Sequence, residues 1–136
     1  MKHYVLDANA LVRFFRGENG ASKVSALLVQ ANRGNADLHI SVVNLAEVLY
    51  VASRTASLER TREAIRKIQT VVACVSPAAE DALAAGEIRL RYKLGLADSF
   101  AAELAVRRNA TLVTADPEFA RLGKKIKLLS LPSHKG

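Results

Sequence analysis

The chain contains a single cysteine, Cys74. It can form no internal disulfide, and its place in the apolar run VVACV marks a small hydrophobe in a reducing compartment rather than a reactive thiol. The three histidines, His3, His39 and His134, fall in no metal-ligand spacing. They read as strand or tail residues, and without a Cys/His cluster zinc is disfavoured. No glycine-rich phosphate loop and no nucleophilic serine motif is present. Long hydrophobic runs are also missing. In the opening stretch MKHYVLDANALVRFF the apolar residues are interrupted by Asp7, Asn9 and Arg13, which predicts neither a signal peptide nor a membrane span and favours a cytoplasmic protein. There is no repeat, linker or low-complexity tract, so the 136 residues, half of them hydrophobic, are expected to form one domain over 1–136.

Acid is the scarcer charge. Thirteen Asp and Glu stand against twenty Lys and Arg, 20 − 13 = +7, and the isoelectric point near 9.9 leans toward anionic partners such as nucleic acid. The bases gather at Arg60 to Lys67 and again from Phe119 to Gly136, a stretch holding Arg121, Lys124, Lys125, Lys127 and Lys135 but no acid. A solvated surface accounts for each cluster equally well.

Apolar periodicity divides the chain into alternating strands and helices. Tyr4 to Leu6 reads as a strand ending at Asp7, with a short helix around Leu11 to Phe15 before Gly17. Val24, Leu27, Leu28 and Ala31 mark an amphipathic helix that stops near Gly34. Leu38 to Val42 is the second strand, followed directly by a helix fading near Thr55, then a basic helix from Leu58 to Thr70 with Ile65 and Ile68 facing inward. Val71 to Val75 is the third strand. Ser76-Pro77 predicts a helix start, with the hydroxyl as cap and proline in the first helical position, and that helix runs to about Tyr92. A further helix covers Ala97 to Arg108, Thr111 to Thr114 is the fourth strand, Asp116-Pro117 forces a turn, and Ile126 to Leu131 is the fifth. This alternation predicts an α/β fold, a three-layer α/β/α sandwich around a parallel sheet of about five strands.

Within that frame the stretch NLAEVLYVA stands out. Leu45, Val48, Leu49 and Ala52 form the stripe expected to face a core, with Asn44 and Glu47 projecting elsewhere together. Glu47 has no base three or four positions away to explain it. It either faces water or points into a site. Three further acids resemble it: Asp7 closes a strand, Asp98 lies in the first turn of a helix, and Asp116 follows a strand. In an open parallel sheet such positions converge at the carboxyl ends of the strands. Carboxylates gathered within about 5 Å repel by roughly 3 kcal/mol per pair at an effective dielectric of 20, which a bound cation would offset. Hard oxygen ligands alone point to Mg²⁺ or Mn²⁺, ions that activate water and steady charge on a phosphoryl group. By contrast Asp37, Glu59, Glu63, Asp81 and Glu103 have nearby bases or solvated faces, Glu103 forming a surface pair with Arg107.

Four fragments in order, "VLDANALVRFF", "ISVVNLAEVLY", "LGLADSFAAELA" and "LVTADPEF", resemble the PIN-domain ribonucleases, particularly the VapC-type toxins of toxin–antitoxin modules. The resemblance implies a parallel five-stranded α/β/α sandwich and a metal-dependent endoribonuclease using Mg²⁺ or Mn²⁺. Asp7, Glu47, Asp98 and Asp116 would be its metal-holding quartet, with supporting polar roles for Asn9, Ser41, Asn44 and Thr114. It further implies an RNA substrate, a cognate antitoxin and a homodimer. Alternatives remain residue by residue. Asp116 serves equally as a turn former before Pro117, Asn9 and Thr114 as local backbone ligands, and Ser41 and Asn44 as caps of the Glu47 helix. At the level of function, a non-catalytic RNA-binding module would keep the basic surface without needing all four acids. An Asp-nucleophile phosphatase would need a second Asp where Asn9 stands.

Overall fold

The chain begins in the middle of its own sheet. In the computed structural model, which describes residues 1–132, β1 (Lys2–Leu6) is flanked by β2 (Ala36–Ser41) and β4 (Thr111–Thr114). The outer positions belong to β3 (Val72–Val75) and β5 (Lys127–Ser130), giving the order β3-β2-β1-β4-β5 with every pairing parallel. Parallel neighbours require crossovers. Helices α1 (Ala8–Arg16) and α2 (Ala21–Asn32) join β1 to β2, α3 (Val42–Ala52) and α4 (Leu58–Ile68) join β2 to β3, and α5 (Ala79–Tyr92) and α6 (Leu96–Arg107) carry the chain back to β4. A 3₁₀ segment, Pro117–Lys125, leads to β5. His134 and Lys135 lie outside the described residues.

The predicted α/β/α sandwich with a five-stranded parallel sheet is therefore the observed architecture. Successive strand residues point to opposite faces, and in β1 both faces are buried. Leu6 joins a core with Leu11, Val24, Leu28, Ile65 and Ile68, whereas Val5 joins one with Leu104, Leu112, Phe119 and Leu122. β4 does the same with Val113 and Leu112. Cys74 packs against the first core, as its apolar surroundings predict. The sequence reading places most boundaries within two residues. Val42 belongs to α3 rather than to the strand, and Asn109 (φ 51°) takes the left-handed turn beyond α6.

Three expectations need correction. Ser76 and Pro77 do not start α5; the helix begins at Ala79, where the Asp81 carboxylate accepts the Ala78 N–H at 2.8 Å and satisfies the first free amide without the serine. Asn44 does not project with Glu47. It is fully buried on the arc with Val48 and Ala52, because α3 is enclosed by neighbouring elements and its buried side is set by them rather than by its most apolar stripe. Leu45 and Leu49 are only partly buried. Finally, Glu103 is not a surface residue. Only 6% exposed, it accepts Arg107 Nε at 2.8 Å and Nη2 at 3.3 Å, while Asp81 lies 3.3 Å from the same guanidinium, so the pair locks α5 to α6.

Phe119 is the largest of the fully buried side chains and fixes the 3₁₀ segment to the second core. Phe119→Ala is expected to cost about 3–5 kcal/mol, read as a lower urea midpoint at unchanged m. A loss below about 1 kcal/mol would show the segment to be held by something else.

Candidate metal centre

Strand order reverses at β1: the chain first builds toward β2 and β3, then returns to the opposite side at β4. The crevice beyond the carboxyl ends of β1 and β4 is thus the topological switch point of the sheet. Asp7 stands at its base, 1% exposed and acting as N-cap of α1. Its Oδ1 accepts the Ala8 N–H at 2.9 Å, and Oδ2 accepts Asn9 Nδ2 at 2.9 Å and the Thr114 hydroxyl at 2.8 Å. The Thr114 oxygen in turn accepts Asn9 Nδ2 at 3.2 Å and the Asp116 N–H at 3.0 Å, while Asn9 Oδ1 accepts the Ala115 N–H at 2.9 Å. This Asp7–Asn9–Thr114 knot fastens the end of β1 to the turn after β4. Asp116 caps that turn by accepting the Glu118 N–H at 2.9 Å.

Asp98 enters from the first turn of α6. Gly95, the N-cap, would place a Cβ 3.3 Å from Asp98 Oδ2, so the missing side chain leaves room for the carboxylate. Asn44 holds the same turn by donating to the Ala97 carbonyl at 3.0 Å, and Ser99 donates to Gly95 O at 2.8 Å. Ser41 takes the capping role, accepting the Val43 N–H at 3.3 Å. Asn44 does not cap its helix; it ties α3 to α6 with its Oδ1 unpartnered.

The four acids meet in two overlapping groups. Asp7, Glu47 and Asp98 line one cleft of about 300 Å³ together with Asn9, Arg13, Arg16 and Glu18. Asp98, Asp116 and Glu118 form the other, offering carboxylate oxygens that lie within 4.8 Å of one another. Asp98 belongs to both. Glu118 and Glu18 are absent from the sequence reading. For Glu118 a signal existed, since it sits two residues beyond Asp116 in a turn that brings the pair to one side; Glu18, in a loop after Gly17, offered none.

Burial pushes the Asp7 carboxyl up to about 7; the Thr114 hydrogen bond opposes this, and the charges of Asp98 and Glu47 add to the rise. Asp98 is pushed up to about 6, again first by burial and then by Asp116, Glu47 and Glu118. A hard divalent cation suits this donor set, which is entirely carboxylate; Arg121 pairs with Glu118 at 3.4 Å, and no ion pair reaches Asp7, Glu47, Asp98 or Asp116 among the described residues.

Both carboxyls hold protons in the folded chain at pH values where the unfolded chain, at its ordinary 3.8, has lost them. Unfolding therefore releases protons, and the stability of the metal-free protein falls as pH rises from about 4 through about 7. Thermal melts in EDTA should show a lower Tm at pH 8 than at pH 5, with a shallower slope in Asp7→Asn. A metal-free Tm that rises with pH over this range would contradict the buried charge cluster.

The family model described as "PIN domain" matches residues 4–125. Comparison with curated proteins gives no match. Among solved structures, VapBC2 from Rickettsia felis, bound to a promoter DNA fragment, is similar at TM-score 0.75 and 24% identity, over 95% of this chain and 98% of that one. VapBC-1 from nontypeable Haemophilus influenzae gives 0.71 and 25%, over 94% and 97%. VapBC-5 from Mycobacterium tuberculosis, of the VapBC family of toxin–antitoxin systems, gives 0.61 and 17%, over 96% and 99%. The family match runs from β1 through the 3₁₀ segment and takes in every acid of the crevice, and the chain belongs to the PIN domain family.

Proposed function

We propose that this protein is a metal-dependent endoribonuclease, the toxin of a toxin–antitoxin pair. PIN domains are generally nucleases. The observation that carries the reading is the convergence of Asp7, Glu47, Asp98 and Asp116, from four separate chain segments, on the switch-point crevice with no ion pair to any of them among the described residues. Mg²⁺ or Mn²⁺ bound there supplies Lewis acidity and an acidified water for phosphodiester hydrolysis. Asp98, Asp116 and Glu118 would hold the ion, with Asp7 and Glu47 adding their charge. Asn9 and Thr114 are positioning residues, keeping Asp7 turned into the crevice. Ser41 and Asn44 act one step further back, through the seating of α3 and α6.

RNA is the substrate class that fits a net charge of +7. The fold likeness to VapBC complexes supports a small antitoxin as partner. A homodimer suits the exposed leucines of α5, Leu83 and Leu90, which lie seven residues apart on one helix face. No helix among the described residues is long and apolar enough to cross a membrane, and a cytoplasmic location agrees with the RNA substrate. The whole chain works as one nuclease unit.

Asp7→Asn and Asp98→Asn are each expected to reduce RNA cleavage by about a hundredfold or more while the fold persists, since volume is kept and like-charge repulsion is relieved. Glu47→Gln should weaken Mn²⁺ binding by calorimetry and slow cleavage with it. Mn²⁺ at a hundredfold excess over its Kd should raise Tm by about 5 °C or more, and EDTA should stop turnover. Undiminished cleavage in excess EDTA, or full activity of Asp98→Asn, would overturn the reading. Tight RNA binding without cleavage in any metal would point to a non-catalytic RNA-binding module instead.

A further inference from the structure

Arg16 closes the last turn of α1 and lines the cleft that holds Asp7, Glu47 and Asp98. It also lines a second groove of about 530 Å³, together with Phe15, Glu18, Ala52, Arg60 and Ala64. Arg16 and Glu18, which line both, thus stand where the acidic cleft meets a groove between α1, the end of α3 and α4, and no ion pair joins the two among the described residues. Arg13, one turn earlier, is engaged with the carbonyls of Asn19 and Pro132 and serves the packing of α1.

The guanidinium of Arg16 is held from one side only. Its Nε donates to Thr55 Oγ1 at 3.0 Å and its Nη2 to the Val51 carbonyl at 3.0 Å, so the tethers are neutral oxygens at the end of α3. An arginine has five N–H donors, and these two bonds leave the Nη1 pair open. None of the ion pairs among the described residues involves Arg16, although the cleft it lines contains several carboxylates. A cation tethered this way keeps its charge uncompensated and its planar fork aligned before any ligand arrives. That arrangement suits bidentate capture of a phosphate.

We propose that Arg16 grips a phosphate of the RNA backbone next to the one at the acid centre and guides the strand into the groove past Arg60. The proposal rests on the nuclease reading for the nature of the chain that is bound. A polyanion approaching four carboxylates is repelled, and a cation within the acid cluster offsets that repulsion only at the scissile phosphate. Flanking phosphates need fixed positive groups of their own, and Arg16 followed by Arg60 along one groove provides them in sequence. A carboxylate-bearing protein segment is the other ligand such a fork accepts, and the test separates the two.

Binding of a short fluorescein-labelled single-stranded RNA is measured by anisotropy from about 50 to 200 mM salt, in the Asp98→Asn background so that turnover does not interfere. Adding R16Q should raise Kd about tenfold and reduce the slope of log affinity against log salt by about 0.7, the value for one lost single-strand phosphate contact. R16K should retain the slope while weakening binding a few-fold, because a point charge lacks the fork. T55V, which releases one tether, should raise Kd about threefold. With Asp98 restored, R16Q should raise KM and leave kcat within about twofold, and Mn²⁺ affinity by calorimetry should be unchanged. If R16Q unfolds the chain, R16K and T55V carry the test.

Unchanged Kd and salt slope in these variants would overturn the assignment. So would Arg16-dependent capture of a poly-glutamate peptide with RNA binding unaffected, which would give the fork to a protein partner. The nuclease reading fails separately. A wild type that binds RNA with the Arg16-dependent slope but never cuts keeps the phosphate grip and loses the enzyme, and a wild type that cuts while R16Q is silent does the reverse.

Discussion

Parallel pairing of five strands is the constraint on which the rest depends. Strands that run the same way leave all their carboxyl ends on one edge, and each crossover must begin there. Residues far apart in the chain, such as Asp7 and Asp116, are then neighbours because both follow a strand. The reversal of strand order at β1 opens a crevice at that edge, since crossovers on its two sides lead away in opposite directions. Asp98 reaches the same place from the start of α6, and Glu47 from the second turn of α3. An antiparallel sheet from the same segments would have divided these acids between two edges.

Concentrating acid there works against stability. Burial raises the carboxyls of Asp7 and Asp98 well above the ordinary carboxylate range, so ionising them in the folded chain works against folding. What holds it is packing on both faces of the sheet. Val5 and Leu6, and likewise Leu112 and Val113, bind the central strands to opposite cores. The knot of Asp7, Asn9 and Thr114 fixes carboxylate direction without neutralising charge, because its donors are an amide, a hydroxyl and a backbone N–H. The result is an immobile cluster of carboxyls whose direction is set before anything binds.

The helices hold the crevice from a distance. α6 carries Asp98 at one end and is tethered at two levels: by Asn44 of α3, which donates to the Ala97 carbonyl, and by Arg107, which joins the buried Glu103 to Asp81 on α5. α1 carries the cap at Asp7 and, at its other end, Arg16, whose guanidinium is drawn toward α3 by Val51 and Thr55. The same helix thus links the acid centre to the positive group beside it, across nine residues of regular structure.

Fold class and the identity of the acids were legible in the sequence because each rests on local pattern. Strand and helix periods, the lack of a neighbouring base around Glu47, and the position of Asp7 and Asp116 just after strands can be read without knowing any contact. What local pattern could not carry was direction. The apolar stripe of α3 suggested Leu45 and Leu49 as its core face, yet enclosure by other elements turned Asn44 inward and left those leucines half-buried. Glu103 had a base at helical spacing and so read as solvated, while the docking of α5 buried it. Ser76 and Pro77 formed a plausible helix start that lost to Asp81, whose carboxylate reaches the free amide of Ala78. Glu118 joined Asp98 and Asp116 only through the turn after β4 and the packing of α6 beside it. By itself the sequence determined which residues are charged, which segments are strands and helices, and that their alternation demands a parallel sheet. Only the tertiary structure decided which side chains share the crevice and which are buried behind it, because burial and like-charge repulsion depend on neighbours supplied by distant segments.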